Sequence, residues 1–295
     1  MSNDSIIVCG QTFSDKILQQ IQNLINHDTA MTRAELARQV CDLLGWIRRN
    51  GQRKDMSCRV ALLKLERQGL LNLPRPTKII ARQSNIEYSR SLQQIPLVKS
   101  VEQMQRLTLV LVTRQSKQRS TLWKIMMQQY HYLGYRPLIG AQLRYLMASD
   151  EGYLGALGFS ASAWKVASRD QFIGWCSTAR QANLPYVICN SRFLILPWIR
   201  SKNLASKMLS LCAKTVVADW YHVYGYRPVL FETYVEKQRF LGTCYRAANW
   251  IRVGQTQGRG KVDRQHEHAL PVKDVYVYPL RPDFRDILCS QGGPR

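Results

Sequence analysis

The 295-residue sequence has no uninterrupted apolar run close to the length of about 20 residues that spans a bilayer. No basic, apolar and small-residue signal sequence opens the chain, so we expect a cytoplasmic protein without a membrane partner. Its eight cysteines include no Cys-x-x-Cys pair, and most lie in apolar segments, which predicts reduced, structural thiols. Metal binding is not predicted either, because the tight His pair in 266–268 lacks further ligands at suitable spacing.

Acidic residues are also scarce. The chain has 20 Asp and Glu residues against 42 Lys and Arg residues, which gives a formal net charge of +22. Such an excess repels itself unless a polyanion is near, and the basic residues are spread through structured segments rather than massed in a tail. Nucleic acid, with DNA first, is therefore the expected partner.

What the N-terminal part does contain is helical periodicity. An apolar stripe predicts a first helix over 14–27, and Thr32 and Glu35 have the spacing of a capping box at the start of a second helix. Asp55 is placed to cap a third helix that ends at Gly69, and a short strand is expected over 70–73. Residues 1–75 are therefore predicted to form a winged helix-turn-helix domain.

A winged helix places the N-terminal end of its third helix in the major groove, while its wing touches phosphate. The residues so placed are Arg53, Lys54, Ser57 and Arg59 on the helix, and Arg75 and Lys78 on the wing. The alternative is a small helical protein-interaction module whose charges are only solvated.

Residues 76–105 are predicted to be a linker, and residues 106–290 a second domain of mixed α/β class. The domain opens with a strand over 107–112 and a hairpin over 142–159, and a helix is expected over 169–183. A strand over 186–197, a helix over 203–224 and a strand over 228–235 follow, an order that implies a parallel pair of strands with a right-handed crossover. In the later Gly-rich loop, Arg259 and Lys261 are candidates for phosphate contact.

The segments after residue 186 resemble the core of the acyl-CoA N-acyltransferase (GNAT) superfamily. The stretch 200–205, Arg-Ser-Lys-Asn-Leu-Ala, resembles the pyrophosphate loop of that superfamily, and 245–254 resembles its later Tyr-x-x-x-Gly-Phe segment. Asn203 and Asn249 stand where the family has glycine, and asparagine is the next most tolerant residue of left-handed backbone. The resemblance implies a GNAT-like mixed β-sheet.

The same resemblance implies roles for particular residues. Tyr245 would protonate a leaving thiolate and Glu232 would deprotonate an acceptor amine, while pyrophosphate would be held by Arg200, Ser201, Asn203 and Ala205. Because two family glycines are missing, weak CoA binding and loss of catalysis are expected, with an active N-acyltransferase as the alternative. Glu232 can also be a salt-bridged strand carboxylate in so basic a protein.

A different chemistry is open as well. Asp170, Asp219 and Glu232 could gather around two Mg²⁺ ions in a DNA-processing enzyme, although Asp170 stands near a helix start and could equally be a cap. A third possibility is a non-enzymatic adaptor that binds nucleic acid for a partner.

Many short sequence words, in one order, resemble the DruA family of the bacterial Druantia anti-phage system. The resemblance implies a nucleic-acid-binding component of phage defence that has other Druantia proteins as partners, and relatives of the family are commonly associated with transposases. The words include His131-Tyr132-Leu133-Gly134, Arg169-Asp170, Asn190-x-Arg192-Phe193-Leu194, Asp219-Trp220, Glu232-Thr233-Tyr234-Val235 and Gly242-Thr243-Cys244-Tyr245.

Overall fold

A computed structural model describes residues 5–28, 30–48, 51–75, 94–113, 115–258 and 271–291. It divides into two compact units, Met1–Glu87 and Tyr88–Arg295. Among the residues so described, no helix combines the length and the apolarity that crossing a membrane requires.

The first unit contains a hairpin and three helices around one apolar core. Its elements are β1 (Ser5–Val8), β2 (Gln11–Ser14), α1 (Asp15–His27), α2 (Arg33–Leu43) and α3 (Asp55–Arg67). The Thr32 side chain caps α2 as predicted, since it accepts a hydrogen bond from the Glu35 N–H, and Ser14, which was not predicted as a cap, accepts one from the Ile17 N–H at the start of α1. At α3 the cap position is Lys54, and Asp55 is the first helical residue.

Two features of this unit differ from the expected pattern. Residues 44–54 connect α2 to α3, which is longer than the turn of about 3–4 residues in a helix-turn-helix. The strand expected over 70–73 is wrong: Leu71 is buried in the core, and the Asn72 N–H donates to the Gln22 side chain at 3.0 Å instead of to a neighbouring strand. The winged helix therefore stays a prediction.

The second unit is a mixed α/β structure built on a seven-stranded sheet, as the sequence predicted. The sheet strands are β4 (Thr108–Leu111), β5 (Gln142–Ser149), β6 (Gly152–Ala161), β7 (Val187–Ile195), β9 (Leu230–Glu236), β10 (Ile251–Gln255) and β11 (Lys273–Pro279). Their order is β10-β11-β9-β7-β6-β5-β4, and the central pair β7–β9 is parallel while all the other pairs are antiparallel.

A small parallel pair lies outside this sheet. Its strands are β3 (Leu97–Val98), in the stretch assigned to a linker, and β8 (Ile199–Arg200). The helices of the unit are α4 (Lys117–Tyr130), α5 (Ala167–Ile173), α6 (Ser177–Asn183), α7 (Leu204–Tyr224), α8 (Thr243–Ala247) and α9 (Phe284–Cys289). The single helix expected over 169–183 is thus two helices, because Gly174 adopts a left-handed conformation that ends α5.

Helices cover both faces of the sheet. Phe231 and Val235 of β9 pack with the apolar side of α7, whereas Leu230, directly before Phe231, packs with α5, α6 and α9. The α4 helix packs against β5, β6 and β7 on the face opposite α7. Because successive strand residues point to opposite faces, the two layers receive alternating residues of β9.

Candidate functional site

The centre of the second unit is the place where β7 and β9 separate. Register pairs join the two fully described strands only over Val187–Leu230, Ile188–Phe231 and Cys189–Glu232, and β7 then continues alongside β6 past a bulge. Side chains of the chain itself lie in the opening. The Asn190 backbone carbonyl accepts a hydrogen bond from Thr233 Oγ1 at 2.9 Å.

Tyr245, from α8, reaches into this opening. Its hydroxyl donates to Asn190 Oδ1 at 2.9 Å, and its ring lies 5.1 Å from the Trp250 ring and 5.8 Å from the Tyr276 ring. Burial raises the pKa of Tyr245 above its ordinary value. The hydroxyl is therefore a neutral donor within the core, and its nearest polar neighbours are side chains of this protein.

Glu232 lies on the other face of β9. Its Oε2 is 2.9 Å from Arg169 Nη1, and its Oε1 accepts a hydrogen bond from the Tyr234 hydroxyl at 2.7 Å. Arg169 and Glu232 have no exposed side-chain surface. Burial, followed by the charge of Glu232, raises the pKa of Tyr234 well above its ordinary value, so Tyr234 remains a donor.

Asp170 is the second carboxylate that forms an ion pair with Arg169. Its Oδ1 is 2.7 Å from Arg169 Nη2 and also accepts from Trp175 Nε1 at 3.1 Å, while its Oδ2 accepts from the Val166 N–H at 3.2 Å. Burial alone lowers the pKa of Arg169, but the nearby negative groups, with Glu232 the largest, outweigh it and raise that pKa. The cap position of α5 is Val166, so Asp170 is not the helix cap; it lies within the first turn, accepts the Val166 N–H and neutralises a buried cation.

The three carboxylates considered for metal binding do not meet. Asp219 accepts a hydrogen bond from the Tyr145 hydroxyl at 2.9 Å on the α7 face, whereas Asp170 and Glu232 share Arg169 on the opposite face. Within the described ranges, no group of three His, Cys, Asp or Glu residues is arranged to hold a metal ion.

The two predicted catalytic residues are likewise separated by the sheet. Thr233, beside Tyr245, and Glu232 are consecutive on β9 and therefore point to opposite faces. The structure places one candidate in each layer, so the Glu232 carboxylate and the Tyr245 hydroxyl do not share a cleft.

The four candidate cofactor residues lie together at the start of α7. Asn203 is the helix cap, with φ 64°, and Asn249 has φ 61°, so both asparagines that replace family glycines do adopt the left-handed backbone. The cap makes no side-chain hydrogen bond, and Ser201 Oγ is buried without a partner. Arg200 and Lys202 are exposed and Ala205 is half-buried, so this turn offers helix-start N–H groups and two cations to an anion such as a pyrophosphate.

Most of the predicted nucleic-acid residues of the first unit lie at the start of α3, and Arg75 follows the helix. Arg53 is bound by Asp42 through two bonds, Nε–Oδ1 at 2.5 Å and Nη2–Oδ2 at 2.8 Å. Lys54 and Arg59 are half-exposed, and Ser57 and Arg75 are exposed. Three further candidates lie outside the described residues: Lys78, Arg259 and Lys261.

The alternative that Glu232 is a salt-bridged strand carboxylate is confirmed, but sequence reasoning did not identify its partner Arg169, 63 positions away. It also gave no role to His131 and Arg192, although both stand in the short words that resemble a known family. The available signal for Arg169 was its direct neighbour Asp170, since an arginine is almost never fully buried unless it is paired.

Comparisons with known proteins bear on identity and fold. No curated protein matches the chain. Among solved structures, the chain is similar to "a CoA-dependent acyl-homoserine lactone synthase, MesI", at 15% identity and a TM-score of 0.34, covering 61% of this chain and 92% of that chain. Similarity at this level does not transfer an activity.

The family comparison covers more of the chain. The family described as "DruA: Druantia protein DruA" matches residues 64–267, which is more than half of the sequence and includes the β7–β9 opening and the buried Arg169 network. The chain therefore belongs to the DruA family.

Proposed function

We propose that this protein is a nucleic-acid-binding component of a bacterial anti-phage defence system of the Druantia kind, acting in the cytoplasm with other Druantia proteins. Family membership supports the defence role. The observation that carries the nucleic-acid role is the net charge of +22, because an excess of this size needs a polyanionic partner to offset its self-repulsion.

We assign DNA contact to the first unit, at the N-terminal end of α3. Lys54 and Arg59 are partly exposed there, Ser57 is exposed, and Arg75 is exposed beyond the helix. Arg53 differs from them because Asp42 already neutralises it. Lys54 and Arg59 are therefore the two cations at this helix end that are best able to neutralise phosphates.

The test compares two double variants of full-length protein. Lys54→Ala with Arg59→Ala should weaken duplex DNA binding about tenfold or more and reduce the log–log salt slope by about 1.8, since each lost phosphate contact removes about 0.9. Lys64→Ala with Arg67→Ala removes the same charge from the other, exposed end of α3 and is the matched control. Equal log–log salt slopes in the two variants would contradict DNA contact at the start of α3 and would favour a protein-docking role for the first unit.

We also propose that the second unit has lost CoA-dependent catalysis. Tyr245 donates to Asn190 inside the core, and Glu232 is bound by Arg169 on the opposite face of the sheet. A general acid and a general base must both reach the reacting atoms, either directly or through one water molecule. Two buried groups on opposite faces do not meet that condition.

An active acyltransferase is the second candidate, and one observation favours it. The turn before α7 keeps its left-handed residue at Asn203, and the helix start has no side-chain cap. Calorimetry with acetyl-CoA separates the candidates: a retained site should bind more tightly in Asn203→Gly and more weakly in Arg200→Ala. We expect neither variant nor the unmodified protein to bind.

A further inference from the structure

Arg192 is a cation that forms no ion pair within the described part of the chain. It lies on β7 just past the bulge, half-buried, and its Nη1 donates to the Ser191 carbonyl at 2.6 Å. Its Nε is buried and has no hydrogen-bond partner, and no carboxylate among the described residues pairs with it. Burial lowers the pKa of Arg192, which reflects the cost of keeping this charge away from water. Such a group is stabilised by a bound anion.

The surroundings of Arg192 are positive. Arg136 lies near enough to lower the pKa of Arg192 further, and Lys273 adds a charge from β11. His131, at the end of α4, is 9% exposed, and burial together with the charges of Arg192 and Lys273 lowers its pKa to about 4. The nearby carboxylate of Glu236 is bound by Arg239 at 2.8 Å.

His131 is nevertheless a donor at neutral pH. Its Nδ1 accepts the Leu133 N–H at 3.2 Å, so the proton of the neutral ring is on Nε2. This proton and the guanidinium of Arg192 supply two kinds of donor suited to phosphate oxygens.

Two exposed aromatic rings adjoin these donors. Tyr132 stacks on His131 with centroids 4.9 Å apart, and Phe240 meets Tyr132 edge to face at 5.4 Å. Phe240 is 48% exposed and Tyr132 is 36% exposed. The Arg239 guanidinium lies 5.5 Å from the Tyr132 ring centre. Aromatic faces beside arginines are the usual means of binding unpaired bases together with their phosphates.

We propose that His131, Tyr132, Arg192 and Phe240 form a binding site for a nucleotide unit of single-stranded nucleic acid. The phosphate contacts Arg192 and the Nε2–H of His131, and the base stacks on the exposed ring of Phe240, which the edge contact with Tyr132 holds in place. The proposal goes beyond duplex binding by the first unit, because every one of these residues belongs to the second unit.

The test measures the anisotropy of a labelled single-stranded oligothymidylate with full-length protein. Arg192→Gln should weaken binding about tenfold and reduce the log–log salt slope by about 0.7, the value per phosphate for single strands. The matched control is Arg227→Gln, which removes an exposed arginine just before the start of β9. This change should alter the affinity less than about twofold. Phe240→Ala, at an exposed ring, is a second variant and should weaken binding about 5- to 100-fold.

Two further arms identify the source of the phosphate and separate this site from the first unit. Binding of AMP in calorimetry, abolished by Arg192→Gln, would support the site with a free nucleotide as its ligand; strand binding without AMP binding supports the nucleic-acid ligand. The double variant Lys54→Ala with Arg59→Ala should keep single-strand binding, whether or not it loses duplex binding. Equal affinity and equal slope in Arg192→Gln and Arg227→Gln, with Phe240→Ala unchanged, would overturn the proposal.

Discussion

Replacing Glu232 by Gln asks whether this carboxylate serves stability or chemistry. The change keeps the shape of the side chain but leaves Arg169, which has no exposed surface, without one of its two negative partners. Breaking a buried ion pair costs about 3–5 kcal/mol, and the remaining Asp170 favours the lower value of about 3 kcal/mol. For a folding unit of this size, about 2–4 °C is lost per kcal/mol, so the melting temperature should fall by about 6–12 °C.

The assay is thermal unfolding followed by near-ultraviolet circular dichroism. Asp283→Asn is the matched control, because it removes one member of the exposed Arg281–Asp283 pair and should shift the melting temperature by less than about 3 °C. A double-mutant cycle with Arg169→Met should give a coupling energy of about 1–3 kcal/mol. If the melting temperature of Glu232→Gln lies within about 1 °C of that of the unmodified protein, the carboxylate does not stabilise the fold as an ion-pair partner. That result would favour the general-base role of Glu232.

Three other outcomes follow from the structure. The pKa of His131 is about 4 in the folded protein against an ordinary 6.5, so the unfolded chain takes up the proton at a higher pH than the folded protein does. The free energy of unfolding should therefore decrease as the pH falls from about 6.5 to about 4. Denaturant titrations at several pH values measure this decrease, with His131→Gln as the control. A fragment of residues 94–291 should be more stable than one of 106–291, because only the longer one contains the β3 strand that pairs with β8, and equal melting temperatures would contradict this. Gly155→Ala should destabilise by about 1–3 kcal/mol in urea unfolding, since its methyl group would lie 2.0 Å from the Leu194 carbonyl oxygen, and an unchanged midpoint would mean that the backbone yields there at little cost.

Local chemistry made part of this structure readable from the sequence. The Ser14 and Thr32 caps, the left-handed Gly225 that ends α7, and the left-handed Asn203 and Asn249 each depend on residues within one helical turn. Side-chain capping and the steric limits on φ act over that range, so the sequence states them directly. Hydrophobic periodicity likewise predicted the strand–helix–strand order with its parallel pair, whereas the mixed sheet was what the GNAT resemblance implied.

The hairpin β1–β2 was beyond this kind of reasoning, because its strands are four residues each and only one face of them is buried. The same holds for β3 and β8, two-residue strands that exist through their pairing with each other. Segments this short have no periodicity of their own to detect.

The roles of the candidate site residues were decided only by tertiary structure. The sequence alone established a strongly basic protein, and its resemblance to the GNAT superfamily implied acid and base candidates at Tyr245 and Glu232. Whether those groups face one cleft depends on where β7 and β9 separate, and on which distant residue each group contacts. Glu232 meets Arg169 and Tyr245 meets Asn190 across 63 and 55 positions of the chain, and such contacts are set by the packing of whole layers on the sheet, which no local pattern records.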